Sequence, residues 1–452
     1  MAFLVLGQKN LPTNTDQADG NCVAALSMNQ LSGIRILVLL HLTLHAFFSP
    51  VYEGPDEPFH LARARLFALV PLKEALAGKD VDAELVRSLR AWPCGPAMQP
   101  ALGCPAFGSE PASFNILEPA RRSEMGAPSA NYQAHQPPLY YLAGASLLKL
   151  FAPWIGTTPE SQVLLLRLAA VLLVGYVLCF PLRKLGKENV HLEALVLLAM
   201  LLPGAAESLV RVSNDVGVFA WSILLLAALQ SGDRIRPASK ALLAGVGPLV
   251  KLTALPIVAF AAVLVWRKRD WRAGALIGAA GLAVLPLQWL RGWAWGGTLE
   301  ANAPWSGIGS LSEISVGLLH SAATFLKTAI WLGGWSFFRP PGWLLLAAPF
   351  CGLLLVLRTF RVRECPRNLA AHLAGLALAG AGFVAFALGQ RRIFGIWGGV
   401  GGWYFWGWAP WIALLASDVL EIRKERELVA GAVVGAAALN LTWLHLAYRI
   451  YG

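Results

Sequence analysis

From Ile34 to Val51 the chain runs for eighteen residues with one charged side chain, Arg35, and apolar runs of this kind recur along its whole length. About 20 consecutive apolar residues form an α-helix long enough to cross the hydrocarbon core of a bilayer. A helix satisfies its backbone polar groups internally, as lipid demands. Only 14% of residues are charged, against about 25% in an ordinary soluble domain. The pattern predicts an all-α polytopic membrane protein. The 18 Trp and 28 Pro suit interfacial belts and interrupted helices.

The excess of positive charge orders the segments. The net charge of +11 comes from Lys and Arg in short loops between apolar runs. Positive-inside topology puts them there, and nucleic acid is not implied. Residues 1–33 read as a cytoplasmic segment with no secretory cleavage site. Residues 34–290 read as a transmembrane core that includes a long first extracytoplasmic loop, 52–161. Residues 291–341 form a second long loop, and 342–452 carry the C-terminal transmembrane helices. Within the first loop, His60 to Leu76 is expected to be an amphipathic helix carrying Arg63 and Arg65. Leu139 to Trp154 is too short for a comfortable span. Laying it along the interface keeps Arg183-Lys-Leu-Gly-Lys187 cytoplasmic. Ser315 to Leu332 is a second candidate interfacial helix. Ala241 to Trp266 must leave and return on one side, so it reads as a hairpin of two Pro-interrupted helices with Lys251 near its tip. The count comes to about eleven spans.

This topology gathers polar residues from distant segments on the extracytoplasmic face, which suggests a site. Asp56 and Glu57 follow the first span, bracketed by Pro55 and Pro58, which restrict the backbone. Carboxylates at the mouth of a membrane helix are costly and mark a functional site by default. Two readings are open for the pair: catalysis or metal binding, and helix capping. Asp215 reads either as a second acid or as a helix cap with Asn214. Arg211 reads as a partner for Glu207, four residues earlier. His135 reads as a phosphate contact or a loop hydrogen bond. Lys251 reads as a donor-phosphate ligand or as the salt-bridge partner of an outer acid. Lys327, Arg339, Arg391 and Arg392 read as ligands for a donor phosphate or for anionic lipid headgroups. Cys94 and Cys104 share one polar segment, where a disulfide can form if the compartment is oxidising.

Four stretches carry a resemblance: Pro55-Asp-Glu-Pro-Phe-His60, His135-Gln-Pro-Pro-Leu-Tyr-Tyr141, Ser213-Asn-Asp215, and Gly333-Gly-Trp335 followed by Pro340-Pro341. In this order the chain resembles the GT-C superfamily of polyprenyl-phosphate-sugar-dependent glycosyltransferases, and most closely a bacterial branch of integral membrane proteins within it. Lipid A aminoarabinose transferases and protein O-mannosyltransferases are distant members. The branch tends to have Gly-Arg-Tyr near its last spans, where this chain has Gly402-Trp-Tyr404. A phosphate-binding Arg there would have to be replaced by Arg391 or Arg392, or be absent.

The resemblance implies a GT-C-like fold in the bacterial inner membrane with its active site on the extracytoplasmic face. It implies a catalytic carboxylate at Asp56 or Glu57 and a second acid at Asp215. It places His135, Gln136 and Tyr140 beside the donor lipid phosphate. The implied partners are a polyprenyl-phosphate-linked sugar donor, membrane lipids, and a glycan, lipid or protein acceptor of the cell envelope. Inversion at the anomeric carbon is expected. No cofactor is obligatory; a divalent metal, if used, would fall to Asp56 and Asp215. Two rivals stand beside this reading: a polymerase or ligase using a pyrophosphate-linked donor, and a transporter or flippase of lipid carriers.

Overall fold

The computed structural model describes residues 28–49, 51–52, 56–78, 81–91, 131–267, 270–295, 310–330, 342–362, 369–394, 397, 400–422 and 425–451. Cys94, Cys104 and Arg339 lie outside the described residues, as do the Gly333 to Pro341 turn and the side chain of Arg392.

The chain is almost wholly helical. It opens with α1 (Met28–Phe48), α2 (Glu57–Leu69), α3 (Leu72–Ala77), α4 (Ala83–Ala91) and α5 (Leu139–Ile155). Then come α6 (Pro159–Val177), α7 (Arg183–Glu188), α8 (Val190–Ala199), α9 (Pro203–Val210) and α10 (Asp215–Gln230). The hairpin is α11 (Pro237–Val250) and α12 (Leu255–Arg267), with Lys251 at the junction. It is followed by α13 (Trp271–Leu282), α14 (Val284–Trp295), α15 (Leu311–Ile330) and α16 (Gly342–Thr359). The rest is α17 (Leu369–Phe394), α18 (Ala409–Val419) and α19 (Glu425–Tyr451). One small departure from an all-helical chain is a three-residue antiparallel pair, Phe360–Val362 with Leu420–Ile422.

Among the described residues four helices are long and apolar enough to cross a membrane: Gln30–Phe48, Pro159–Glu188, Leu373–Arg391 and Glu427–His445. A fifth counts if α8 and α9, bent by 83° at Met200 to Leu202, form one broken span. The figure of about eleven took each apolar run outside the two interfacial candidates as a crossing. Some of those runs fold as shorter helices, including α10 and α18. The sixteen residues of α10 rise only about 24 Å at 1.5 Å each, short of a roughly 30 Å core.

The main buried cluster is drawn from α1, α6 and α8 through α12, with Trp406 and Trp411 from the C-terminal part. The hairpin packs on α13 through small residues. A Cβ at Gly245 would lie 3.1 Å from the Ala280 carbonyl, and one at Gly281 would lie 2.6 Å from Val258. Close backbone approach of this kind is how helices associate where lipid supplies no hydrophobic drive. The helix break is closed by distant side chains. Asn440 donates to the Leu201 carbonyl (3.1 Å), and the His41 ring bonds the Leu202 carbonyl (3.4 Å).

Arg35, the one charged residue of the first apolar run, lies buried within α1 and pairs with Glu193 of α8 through Nε (2.8 Å) and Nη2 (2.5 Å). One expectation about arginines is corrected. Arg63 and Arg65 do not form the polar face of a surface helix, because α2 is buried on nearly every side. Arg63 donates to the Ala75 and Gly78 carbonyls (2.7 Å each), closing the C-terminal end of α3. Arg65 binds Asp82, Glu84 and Gln162, pinning α4 and α6 to α2. The helical pattern was legible, but the guanidinium hydrogen bonds that permit burial join segments far apart in sequence.

Candidate functional site

The start of α2 is fixed by two adjacent acids with different fates. Pro58 sits in the first turn, where its preset φ favours helix and its missing N–H costs nothing. Glu57 is fully buried. Its carboxylate accepts both Nε (2.9 Å) and Nη2 (2.6 Å) of Arg167 on α6. It also accepts the Val212 amide at 2.9 Å, while Arg167 Nη1 donates to the Ser49 carbonyl at 2.6 Å. Glu57 thus ties together α6, the end of α1 and the turn before α10.

Asp56 takes the other course. It occupies the N-cap position of α2, yet its side chain makes no capping hydrogen bond, so the capping reading does not describe it. Its φ is +67°, a left-handed conformation that Asp tolerates better than most residues but that is still unfavourable. Non-glycine residues held this way cluster at functional sites. Asp56 is partly exposed. It lies near enough for its charge to act on Lys251, Tyr141 and Tyr404.

Facing it is a buried polar cluster. Asp215, the first residue of α10, accepts Lys251 Nζ at 2.6 Å, the Ser213 hydroxyl at 3.1 Å and Arg211 Nη2 at 3.4 Å. Arg211 therefore pairs forward with Asp215 and not back with Glu207, which accepts the Trp443 indole N–H at 2.7 Å. Asn214 does not cap α10. Its Nδ2 donates to Gln136 Oε1 (3.4 Å) and to the Val250 carbonyl (3.3 Å). Gln136 in turn contacts His135 Nε2 at 3.3 Å. Two rings line the cations: Lys251 Nζ lies 4.3 Å from the centre of Tyr404, and the Arg211 guanidinium 5.1 Å from that of Trp403. At the position where an arginine was missed, Trp403 thus carries one from another segment.

His60, on the next turn of α2, hydrogen-bonds the Tyr141 hydroxyl through Nδ1 at 2.8 Å. Burial, with the positive charges of Lys251, Arg211 and His135 around it, holds its imidazole well below the ordinary histidine range. It is a neutral residue of the cluster.

The structure therefore brings together Asp56, His135, Gln136, Tyr140, Asp215 and Lys251 from four separate segments, with Glu57 directly behind them. Arg391 lies over the Trp397 ring at 6.0 Å, and Lys327 is exposed on α15. Sequence reasoning gave Arg211 no role in the site. Its spacing four residues before Asp215 was the available signal. Among the described residues no group of three His, Cys, Asp or Glu is placed to hold a metal ion.

Residues 39–406 match the model of a family described as predicted membrane protein (DUF2142). The chain belongs to that family. No curated protein and no solved structure matches it. With its long apolar helices, the family places the chain in a membrane.

Proposed function

We propose that this protein is a GT-C-type glycosyltransferase of the bacterial inner membrane. It would move a sugar from a polyprenyl-phosphate donor to a cell-envelope acceptor on the extracytoplasmic face. The observation that carries this reading is Asp56, held at positive φ without a capping bond and facing a buried Asp215–Lys251–Arg211 cluster.

An acceptor hydroxyl is a weak nucleophile near neutral pH and needs a base. Asp56 takes its proton as the oxygen bonds the anomeric carbon. The bond from that carbon to the phosphate oxygen breaks, and the electron pair leaves with the polyprenyl phosphate. The departing phosphate needs a cation more than an acid, and Arg211 supplies it, with Lys251 holding Asp215 beside it. Asp215 orients both cations. A single displacement inverts the anomeric carbon. Glu57, with both oxygens committed to Arg167 and Val212, supports the base and does not act as one.

The test is transfer from a panel of radiolabelled polyprenyl-phosphate sugars to membrane extract. Wild type is compared with Asp56→Asn, with and without EDTA. Loss of transfer in the variant at normal expression supports the reading, and EDTA sensitivity adds a metal. No transfer from any donor, or transfer indifferent to Asp56, refutes it. One observation favours a different reading. A helix broken inside the bundle, with its freed carbonyls bound by side chains, is a feature of transporter sites. Lipid-carrier flipping in proteoliposomes without any sugar transfer would select that alternative.

A further inference from the structure

Arg211 is 3% exposed, yet its Nε and Nη1 have no hydrogen-bond partner among the described residues. Buried donors left unpaired are costly, and a buried guanidinium is costlier still. Its one anionic partner, Asp215, is shared and at 3.4 Å, whereas Lys251 holds the same carboxylate at 2.6 Å. Of the other buried acids, Glu57 is paired with Arg167 and Glu207 accepts the Trp443 indole N–H. The buried charges of the cluster are two cations against one anion, with Asp56 at its partly exposed edge.

A second unpaired atom stands close by. Asn214 Oδ1 is buried without a donor, and the amide cannot be reversed to relieve it, because Nδ2 faces the Val250 carbonyl. Unpaired guanidinium donors and an unpaired acceptor, three residues apart on one turn, describe a ligand with two features. It has an anionic oxygen for Arg211 and a hydroxyl or N–H for Asn214.

We infer that Arg211 and Asn214 form a subsite for a single glycosyl phosphate head group, with Arg211 on the phosphate and Asn214 on a sugar hydroxyl. This rests on the glycosyl-transfer reading for the lipid that carries the phosphate. One cation with open donors matches one phosphate and not a pyrophosphate, which carries more charge than the site offsets. Lys251 is then the residue that holds Asp215 in place. Trp403 covers the guanidinium, so entry of the phosphate moves that ring.

The experiment uses the full chain in lipid nanodiscs and measures binding of polyprenyl phosphate, polyprenyl pyrophosphate and a polyprenyl-phosphate hexose. Wild type binds the monophosphates more tightly than the pyrophosphate. Arg211→Gln weakens binding of both monophosphates by about tenfold or more, the usual range for a lost charge-assisted hydrogen bond. Arg211→Lys, which keeps the charge and carries the test if the Gln variant does not fold, gives an intermediate loss. Asn214→Ala removes the advantage of the hexose over the bare lipid phosphate and leaves the latter bound. Binding unchanged in both Arg211 variants, or a pyrophosphate bound at least as tightly as the monophosphate, overturns the inference. Lipid phosphate held through Arg211 without sugar transfer would sink the transfer reading alone. Transfer persisting in Arg211→Gln at an unchanged KM would sink this subsite alone.

Discussion

Glu57 and Asp56 are neighbours with opposite predicted responses to losing their charge. In Glu57→Gln the side chain keeps its shape, and Oε1 still accepts the Val212 amide. Arg167 loses the carboxylate charge of Glu57 while its side chain stays 3% exposed. Removing one member of a buried pair costs about 3–5 kcal/mol, because the other charge stays buried. At 1.4 kcal/mol per decade this lowers the folded-to-unfolded ratio by roughly two to three and a half orders of magnitude. Asp56→Asn removes a partly exposed carboxylate that caps nothing, and its effect should stay within about 0.5 kcal/mol. The assay is thermal unfolding of the purified protein in one detergent, alongside sugar transfer. Glu57→Gln should melt well below wild type. Asp56→Asn should melt with wild type and be inactive. Adding Arg167→Gln to Glu57→Gln should restore part of the lost stability, with a coupling of about 1–3 kcal/mol. If Glu57→Gln melts like wild type but abolishes transfer, Glu57 is the base and the ion-pair argument is wrong.

Two other expectations follow. A Cβ at Gly402 would lie 2.1 Å from the Ala329 backbone nitrogen, so Gly402→Ala must push the Trp403–Tyr404 turn off α15. A loss of at least about 1–3 kcal/mol is expected, together with weakened lipid-phosphate binding; an unshifted melting temperature would show that the turn gives way freely. His60 stays neutral when folded but titrates near pH 6.5 when unfolded. The unfolded state therefore binds more protons below that pH, so stability is full above it and falls as the medium is acidified, by about 1.4 kcal/mol between pH 7.5 and 5.5 for this one group. His60→Gln should remove that share of the slope, and a slope identical to wild type would refute the assignment.

Much of the helical layout was legible because apolar periodicity is local. The interruption of the Ala241 to Trp266 run at Lys251 was found from the charge at its two ends, and α5, α10 and α17 lie close to where the runs placed them. The break inside the Val190 to Leu209 run was not legible, since hydropathy does not show that α8 and α9 bend by 83°. The adjacency of Asp56 and Glu57 was visible, but not their division of labour, which is decided by Arg167 from 110 residues away. Arg211 was paired with the wrong acid for a similar reason. Helical spacing offers Glu207 and Asp215 equally, but α9 ends at Val210, Arg211 turns out of the helix, and Glu207 accepts the Trp443 indole instead.

The break between α8 and α9 also sets an order of events during biogenesis. The donor for the Leu201 carbonyl is Asn440, 239 residues later in the chain. Until α19 has been synthesised and inserted, that carbonyl sits in the bundle with no partner from α19, so the joint between α8 and α9 closes fully only after residue 440 has been made. Helix α19 acts as a latch on a joint made much earlier. Chains ending before residue 440 should be cleared by membrane proteases faster than full-length chains in a pulse-chase, and equal lifetimes would show that the joint closes without it.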